Sequence, residues 1–294
     1  MTREISFQAR VQGGLRNGGW RVLPAGVFWS AFGVNAYYIE GPKGNFGDYL
    51  THVLIEELFG YRVRKSNVAG AEIVGVGSLM NLVEDRGPHR NPWIWGTGFI
   101  LDGPVYSGPR VRVAAVRGEL TRGRLEEYIH GTVPLGDPGL LIGRVYPELR
   151  NIRKKYRLGV IPHCVDQSEK IVDEMTSEGG VAFINVLGHP RDVASRIAEC
   201  EAVVSSSLHG LIVADALRVP NVWMPLSGRV IGGEYKFRDY YSAFGREPSP
   251  VEAGRVDSLV RKIHGTWEPI EDLEKIQDDL IEAFPAPARR RTRR

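Results

Sequence analysis

The sequence predicts an α/β protein with two Rossmann-like halves, each built on a parallel sheet, facing each other across a cleft. Three observations predict it. Short apolar, β-branched runs alternate with amphipathic segments along most of the chain, the pattern of βα units on a parallel sheet. The alternation is broken once, by the polar, basic, glycine-poor stretch "YPELRNIRKKYR". The 294 residues, 43% hydrophobic and 25% charged, are ordinary globular composition and enough for two medium domains.

The first half is expected over residues 35–145. It opens with a strand, "NAYYIE", then a turn, "GPKGNFGD", then a helix, "DYLTHVLIEELF", whose Leu50, Val53, Leu54 and Leu58 make one apolar stripe. "AEIVGVGS" reads as the second strand and "PWIWGTGFI" as the third. "VRVAAVRGELTRGRLEEYI" reads as a fourth strand running into a helix, and "GTVPLGDPGLLI" closes the half. Residues 146–156 read as the linker.

The second half is expected over residues 157–284. "LGVIPHCVD", "VAFINVL", "AVVSS" and "PNVWMPL" read as its strands. "QSEKIVDEMTSEGG", with a glycine stop, "PRDVASRIAECE", with proline in its first turn, and "LHGLIVADALR" read as the helices between them. The remainder, from "EYKFRDYYSAFG" to "EDLEKIQDDLIEAF", is expected to be mostly helical and to belong to this half. Two α/β halves on a linker is the arrangement called GT-B, with the active site between the halves.

Residues 1–34 form an extension with no assignable role. The longest apolar run, "VLPAGVFWSAFGVNAYYI", is interrupted by Pro24, Gly26, Gly33 and Asn35 and is marginal in length for a membrane span, so it reads as a loop and the first strand. The N-terminus lacks the pattern of a secretory signal, which points to the cytoplasm. Residues 285–294 read as a disordered basic tail, offering at most peripheral contact with anionic lipid. The net charge of +3 draws on that tail, so the body is near neutral and a nucleic-acid-binding body is excluded. Two cysteines, Cys164 and Cys200, make neither a disulfide framework nor a zinc site, and the histidines show no ligand spacing, so no metal is expected.

Ligands of parallel sheets bind beyond the carboxyl ends of strands, where the next helix presents free amides. Three such turns carry chemistry-bearing residues. In "GNFGD", Gly44 and Gly47 permit tight turns and Asn45 or Asp48 caps the following helix; the same residues suit a nest for an anion or a sugar hydroxyl. In "VAAVRGELTRG", Arg117 follows an apolar strand directly, fit either for bidentate binding of carboxylate or phosphate or for a salt bridge to Glu119 or Asp137. In "SSSLHG", the hydroxyls of Ser205, Ser206 and Ser207 suit helix capping and Gly210 allows a close approach to the backbone. His209 lies in the first turn of the helix, where the dipole keeps its pKa low and leaves a neutral ring able to exchange a proton. Lys236 and Arg238 in "EYKFRDYY" are further candidates to meet phosphate or carboxylate, and Glu234 or Asp239 to meet a ribose.

Taken in order, "GNFGDYL", "VRGELT", "LGDPGLL", "SSSLHGLIVADALRVPNV" and "EYKFRDYYSAFG" resemble the motifs of the polysaccharide pyruvyl transferase family over roughly residues 36–245. The resemblance implies a GT-B-like enzyme that moves a pyruvyl group from phosphoenolpyruvate to a sugar, usually as a ketal across two hydroxyls, with no metal or cofactor. It implies His209 as acid or base, with Arg117 as the other catalytic candidate, in the donor clamp. Asn45, Gly47, Asp48, Ser205, Ser206, Ser207, Gly210 and Lys236, read from the turns themselves, are the expected substrate-binding positions. Some members carry a basic residue where this chain has Ser207, which shifts the clamp toward Arg117. The acceptor is a sugar, free or lipid-linked, and the expected setting is the cytoplasm or the membrane periphery. Two other readings stand beside it: a nucleotide-sugar glycosyltransferase and a non-catalytic carbohydrate-binding protein.

Overall fold

The computed structural model describes residues 33–39, 45–87 and 90–285. Nearly all of the expected extension, Gly44 of the first motif and most of the expected tail lie outside those residues. The class is α/β with two parallel sheets, as the sequence predicts. The first sheet has the order β2-β1-β3-β4-β5, from β1 (Gly33–Tyr37), β2 (Arg62–Ser66), β3 (Ile73–Val74), β4 (Trp93–Trp95) and β5 (Arg112–Ala115). The second has the order β7-β6-β8-β9, from β6 (Tyr156–Ile161), β7 (Val181–Phe183), β8 (Cys200–Ser205) and β9 (Asn221–Trp223). Every pairing is parallel.

Helix α1 (Phe46–Phe59) starts on a capping box: the Asn45 side chain accepts from the amides of Gly47 and Asp48, and the Asp48 carboxylate accepts from the Asn45 amide. Gly60, at φ 71°, ends it in the left-handed conformation that favours glycine. Leu50, Val53 and Leu54 of the expected stripe are buried. β2 was not expected. Its sequence, RVRKS, buries only Val63, because an edge strand needs one inward residue and leaves the rest to solvent. The runs expected as strands around β3 and β4 yield only two and three strand residues; their glycines instead build the loops at the carboxyl edge.

Smaller helices flank the sheets: α2 (Met80–Arg86), α3 (Glu119–Arg124) and α4 (Ile142–Val145) in the first half, α5 (Lys170–Thr176) and α6 (Pro190–Ala198) in the second. The linker stretch holds a short 3₁₀ turn, Pro147–Asn151, and packs Tyr146 and Leu149 inward. α7 (Leu208–Ala216) is buried at all nine positions, wedged between the halves. A Cβ on Gly143 would stand 2.6 Å from the Ala216 carbonyl, so the glycine lets α4 and α7 touch backbone to backbone.

The terminal helices divide differently from the sequence expectation. α9 (Val256–Thr266) stays with the second sheet, where Val256, Leu259 and Ile263 join Leu158 and Val160. α8 (Tyr235–Ser242) and α10 (Leu273–Glu282) cross back to the first half. The Asp239 carboxylate on α8 accepts from the Thr121 amide at 2.8 Å, tying it to α3. Trp95 Nε1 donates to the Leu280 carbonyl at 2.9 Å, Gln277 donates to the Leu140 carbonyl at 2.7 Å, and Phe284 stacks on Phe59 with centroids 3.7 Å apart. Amphipathic periodicity shows that a helix has an apolar face but not which surface that face will cover. One apolar cluster consequently runs through both halves, joining Leu50 and Leu54 to Leu211 and Ile212. Among the described residues no helix is long and apolar enough to cross a membrane.

Candidate functional site

In each sheet the chain reverses its direction of winding between its first strand and its third, leaving a crevice at the carboxyl edge. The two crevices meet. From the first sheet comes the start of α1, whose Phe46 amide donates at 2.7 Å to the Val186 carbonyl of the second half. From the second comes the turn between β8 and α7. Gly47 lies against the imidazole of His209: a Cβ on Gly47 would stand 2.0 Å from Nδ1 and 2.1 Å from Cγ. The sequence puts Gly47 and His209 at strand-to-helix turns of different halves, and the structure places them in contact.

His209 is 6% exposed, and its Nε2 has no hydrogen-bond partner among the described residues. Its pKa falls to about 3, first through burial, then through the nearby positive charges of Arg117 and Lys236, with His163 adding to them when protonated. The sequence reading gave the helix dipole as the cause; the larger causes are burial and these neighbours. The ring is neutral at physiological pH. Lys236 is also 6% exposed, and its ammonium makes no hydrogen bond or ion pair among the described residues. Its pKa falls to about 8, through burial and then Arg117, against the opposing pull of Asp48, Cys164 and Asp166. Asp48 rises to about 6 because it is buried, opposed by the Asn45 amide and Lys236.

Arg117 is fully buried. Nε donates to Asp239 at 2.9 Å, one terminal nitrogen to Ser78 Oγ at 2.5 Å and the other to the Phe99 carbonyl at 2.6 Å. Its ion-pair partner is thus Asp239 of the returning helix, neither Glu119 nor Asp137; Glu119 pairs with Arg122. Asp239 also accepts from the Thr121 amide and hydroxyl, at 2.8 and 2.7 Å, so its carboxylate is consumed inside the protein and is not open to a ribose. Arg238 is half exposed and pairs with Glu247, away from the buried cluster. Lys236 and Asp239 stand three residues apart on α8, on the same side of that helix.

The three serines build the turn. Ser205 Oγ accepts from the Ser207 amide at 3.0 Å and donates to the Ser207 carbonyl at 2.8 Å. Ser206 Oγ accepts from the His163 amide at 2.9 Å and donates to Asp166 at 2.6 Å. Ser207 occupies the N-cap of α7 but makes no side-chain cap, so the expected capping by hydroxyls does not occur. Gly210 is required by Ser205 itself, whose Oγ would stand 2.4 Å from a Cβ there.

Sequence reasoning passed over His163 and Asp166, and took the buried Asp137 only as a salt-bridge candidate for Arg117. His163 follows the apolar β6 within two residues, the same signal that drew attention to Arg117. Asp166 is fully buried and accepts from Ser206 and Ser227. Asp137 holds the Gly139 amide at 2.8 Å through one oxygen, while the other has no partner among the described residues, and burial raises its pKa to about 7. No group of three or more His, Cys, Asp or Glu side chains among the described residues is arranged to hold a metal ion.

The family model described as Polysaccharide pyruvyl transferase matches residues 45–228, more than half of the chain, from Asn45 through the turn that carries His209. The chain belongs to that family. It is 31% identical over 216 residues to the succinoglycan biosynthesis protein ExoV of Rhizobium meliloti, covering 71% of this chain and 64% of ExoV. It is 33% identical over 165 residues to an uncharacterized protein of Acanthamoeba polyphaga mimivirus, covering 54% of this chain and 57% of that protein. The match spans less than two thirds of the length of either relative.

Proposed function

We propose that the protein transfers a pyruvyl group from phosphoenolpyruvate to a sugar of a polysaccharide or its precursor, forming a pyruvate ketal, on a GT-B-like frame. Family membership and the similarity to a succinoglycan biosynthesis protein support the reading. The observation that carries it is the pairing, in one buried cluster, of a neutral imidazole whose Nε2 has no partner and an ammonium with no ion-pair partner among the described residues.

The reaction sets the demands. One phosphoenolpyruvate and two hydroxyls give a ketal and inorganic phosphate; of the two hydroxyl protons, one ends on the former methylene carbon and the other on phosphate. Neutral His209 takes a hydroxyl proton and, as imidazolium, delivers it to the methylene carbon, which opens the adjacent carbon to attack. The donor's negative charge faces Lys236 and the turn formed by Ser205, Ser206, Ser207 and Gly210 at the start of α7. The start of α1, with Asn45, Gly47 and Asp48, faces the acceptor. Arg117, committed to Asp239, Ser78 and Phe99, acts one step removed: it fixes α8 and so places Lys236. The setting is the cytoplasm, at the membrane periphery where the acceptor is lipid-linked.

Incubation with phosphoenolpyruvate and a suitable sugar should release inorganic phosphate and add a carboxylate to the sugar, without nucleotide or metal. A thermal-shift titration separates the alternatives, since a donor far above its Kd stabilises the fold by several kcal/mol. Stabilisation by a nucleoside diphosphate with none by phosphoenolpyruvate would replace this reading with a glycosyltransferase. Acceptor binding without phosphate release would leave a carbohydrate-binding protein.

A further inference from the structure

The β6–β8 crevice contains a second imidazole that the proton chemistry above does not use. His163 is held in place from three directions. Its amide donates to Ser206 Oγ at 2.9 Å, its carbonyl accepts from the Asp166 amide at 2.8 Å, and the Asp166 carboxylate closes the ring of contacts through Ser206 at 2.6 Å. Ser227 donates to the other oxygen of Asp166. The ring orientation is set as well. Nδ1 accepts from the Val165 amide at 3.4 Å, and a backbone N–H can only donate, so Nδ1 carries the lone pair and Nε2 carries the proton. Cys164 Sγ lies 3.6 Å from the same Nδ1. The Nε2–H, on the far side of the ring from that turn, meets no acceptor among the described residues.

His163 lies near enough to Lys236 for the ammonium to lower its pKa, and near enough to His209 for a proton on either ring to disfavour one on the other. The crevice joins an N–H with no acceptor and a nine-tenths-buried ammonium with no ion-pair partner among the described residues to the start of α7, whose N-cap side chain makes no capping bond. Each of the three can receive an anionic oxygen.

We propose that His163 Nε2–H and the Lys236 ammonium form the subsite for the donor's phosphoryl group and hold it as it departs. The inference rests on the pyruvyl-transfer reading and assigns within it which residues meet which end of phosphoenolpyruvate. As the ketal forms, the bond between the substituted carbon and the bridging oxygen breaks and phosphate leaves with the electron pair. His163 stays neutral and keeps its proton, contributing a hydrogen bond, and Lys236 supplies the countercharge. The proton that phosphate gains comes from an acceptor hydroxyl, so no oxidant or further reactant enters. The two imidazoles then divide the work: His209 moves protons and His163 does not.

Calorimetric titration of the full chain with phosphoenolpyruvate, with inorganic phosphate and with pyruvate tests this. His163→Phe keeps a ring and loses the donor; His163→Gln restores an N–H near Nε2. Binding of phosphoenolpyruvate and phosphate should weaken about tenfold or more in the Phe variant and recover in the Gln variant, while pyruvate, which lacks the phosphoryl group, binds as to the wild type. Lys236→Met should also weaken both phosphorylated ligands. A Phe variant that binds phosphate as well as the wild type overturns the assignment. So does equal weakening of all three ligands without recovery by Gln, the signature of a merely structural residue. Wild-type protein that binds phosphate through His163 but not phosphoenolpyruvate would leave the anion subsite standing and remove the pyruvyl-transfer reading; binding of neither ligand removes both.

Discussion

Gly47 of the first half and His209 of the second are in van der Waals contact, with no room for a single carbon between them. A hydrogen at this position is therefore a condition of the ring's placement. Gly47→Ala improves intrinsic helix propensity by about 1 kcal/mol, so any loss it causes comes from the displaced imidazole. Turnover should fall about a hundredfold, the scale expected for an ångström-sized misplacement of a catalytic group. Steady-state kinetics beside a melting curve checks this, and unchanged turnover would show that the contact does not position the ring.

His209→Ala should lower turnover about a hundredfold or more, as for loss of a general acid or base. The ring also leaves a mark on stability. Its folded pKa of about 3 lies below the usual 6.5, so the unfolded chain holds the proton more tightly. Its contribution is intact above about pH 6.5 and is lost as pH falls toward 3. Between those limits, wild-type stability should decline relative to His209→Phe by about 1.4 kcal/mol per pH unit. Asp48 and Asp137 titrate in part of the same range in both proteins, and the comparison cancels them. Parallel urea titrations at pH 6 and pH 4.5 measure the difference; a constant gap would mean the ring is not buried neutral.

For Arg117, the structure changes what a substitution reports. Arg117→Met strands the Asp239 carboxylate in a dry site and should cost about 3–5 kcal/mol. Arg117→Lys keeps the charge but cannot span Asp239, Ser78 and the Phe99 carbonyl together, so it should also lower the melting temperature. A direct donor clamp behaves differently: Arg117→Lys would then raise the KM for phosphoenolpyruvate at undiminished stability.

Phe284→Ala removes a ring that stacks on Phe59 and meets Trp95 edge-on, with centroids 5.1 Å apart in the second contact. A cost of about 3–5 kcal/mol is expected. Chemical denaturation reads it, and a loss below about 1 kcal/mol would mean that the returning segment barely supports the first half.

What could be read in the sequence follows the range of the forces involved. Alternating βα units, the Asn45 cap and the edge position of His209 are local facts, written within a dozen residues each. Arg117 was legible as a cation at a strand end, but its partner Asp239 lies 122 positions away, and spacing carries no signal over that distance. The strand β2 was invisible because one valine among four polar residues makes no period. His163 carried the same edge signal as Arg117 and was missed because it lacks the glycines and serines that surround His209. Motif density drew attention that position alone did not.

The hydrogen bond from Trp95 to the Leu280 carbonyl spans 185 residues. At ordinary rates of synthesis, about 5–20 residues per second, some ten to forty seconds separate the making of its two ends. Through that interval the indole face that Phe284 will cover stays open, and Arg117, 122 residues ahead of Asp239, waits about two thirds as long. The first half, although translated first, reaches its final form last. A ribosome stalled before residue 273 should carry a nascent chain that protease cuts readily on both sides of Trp95, and release of the full chain should abolish the cutting.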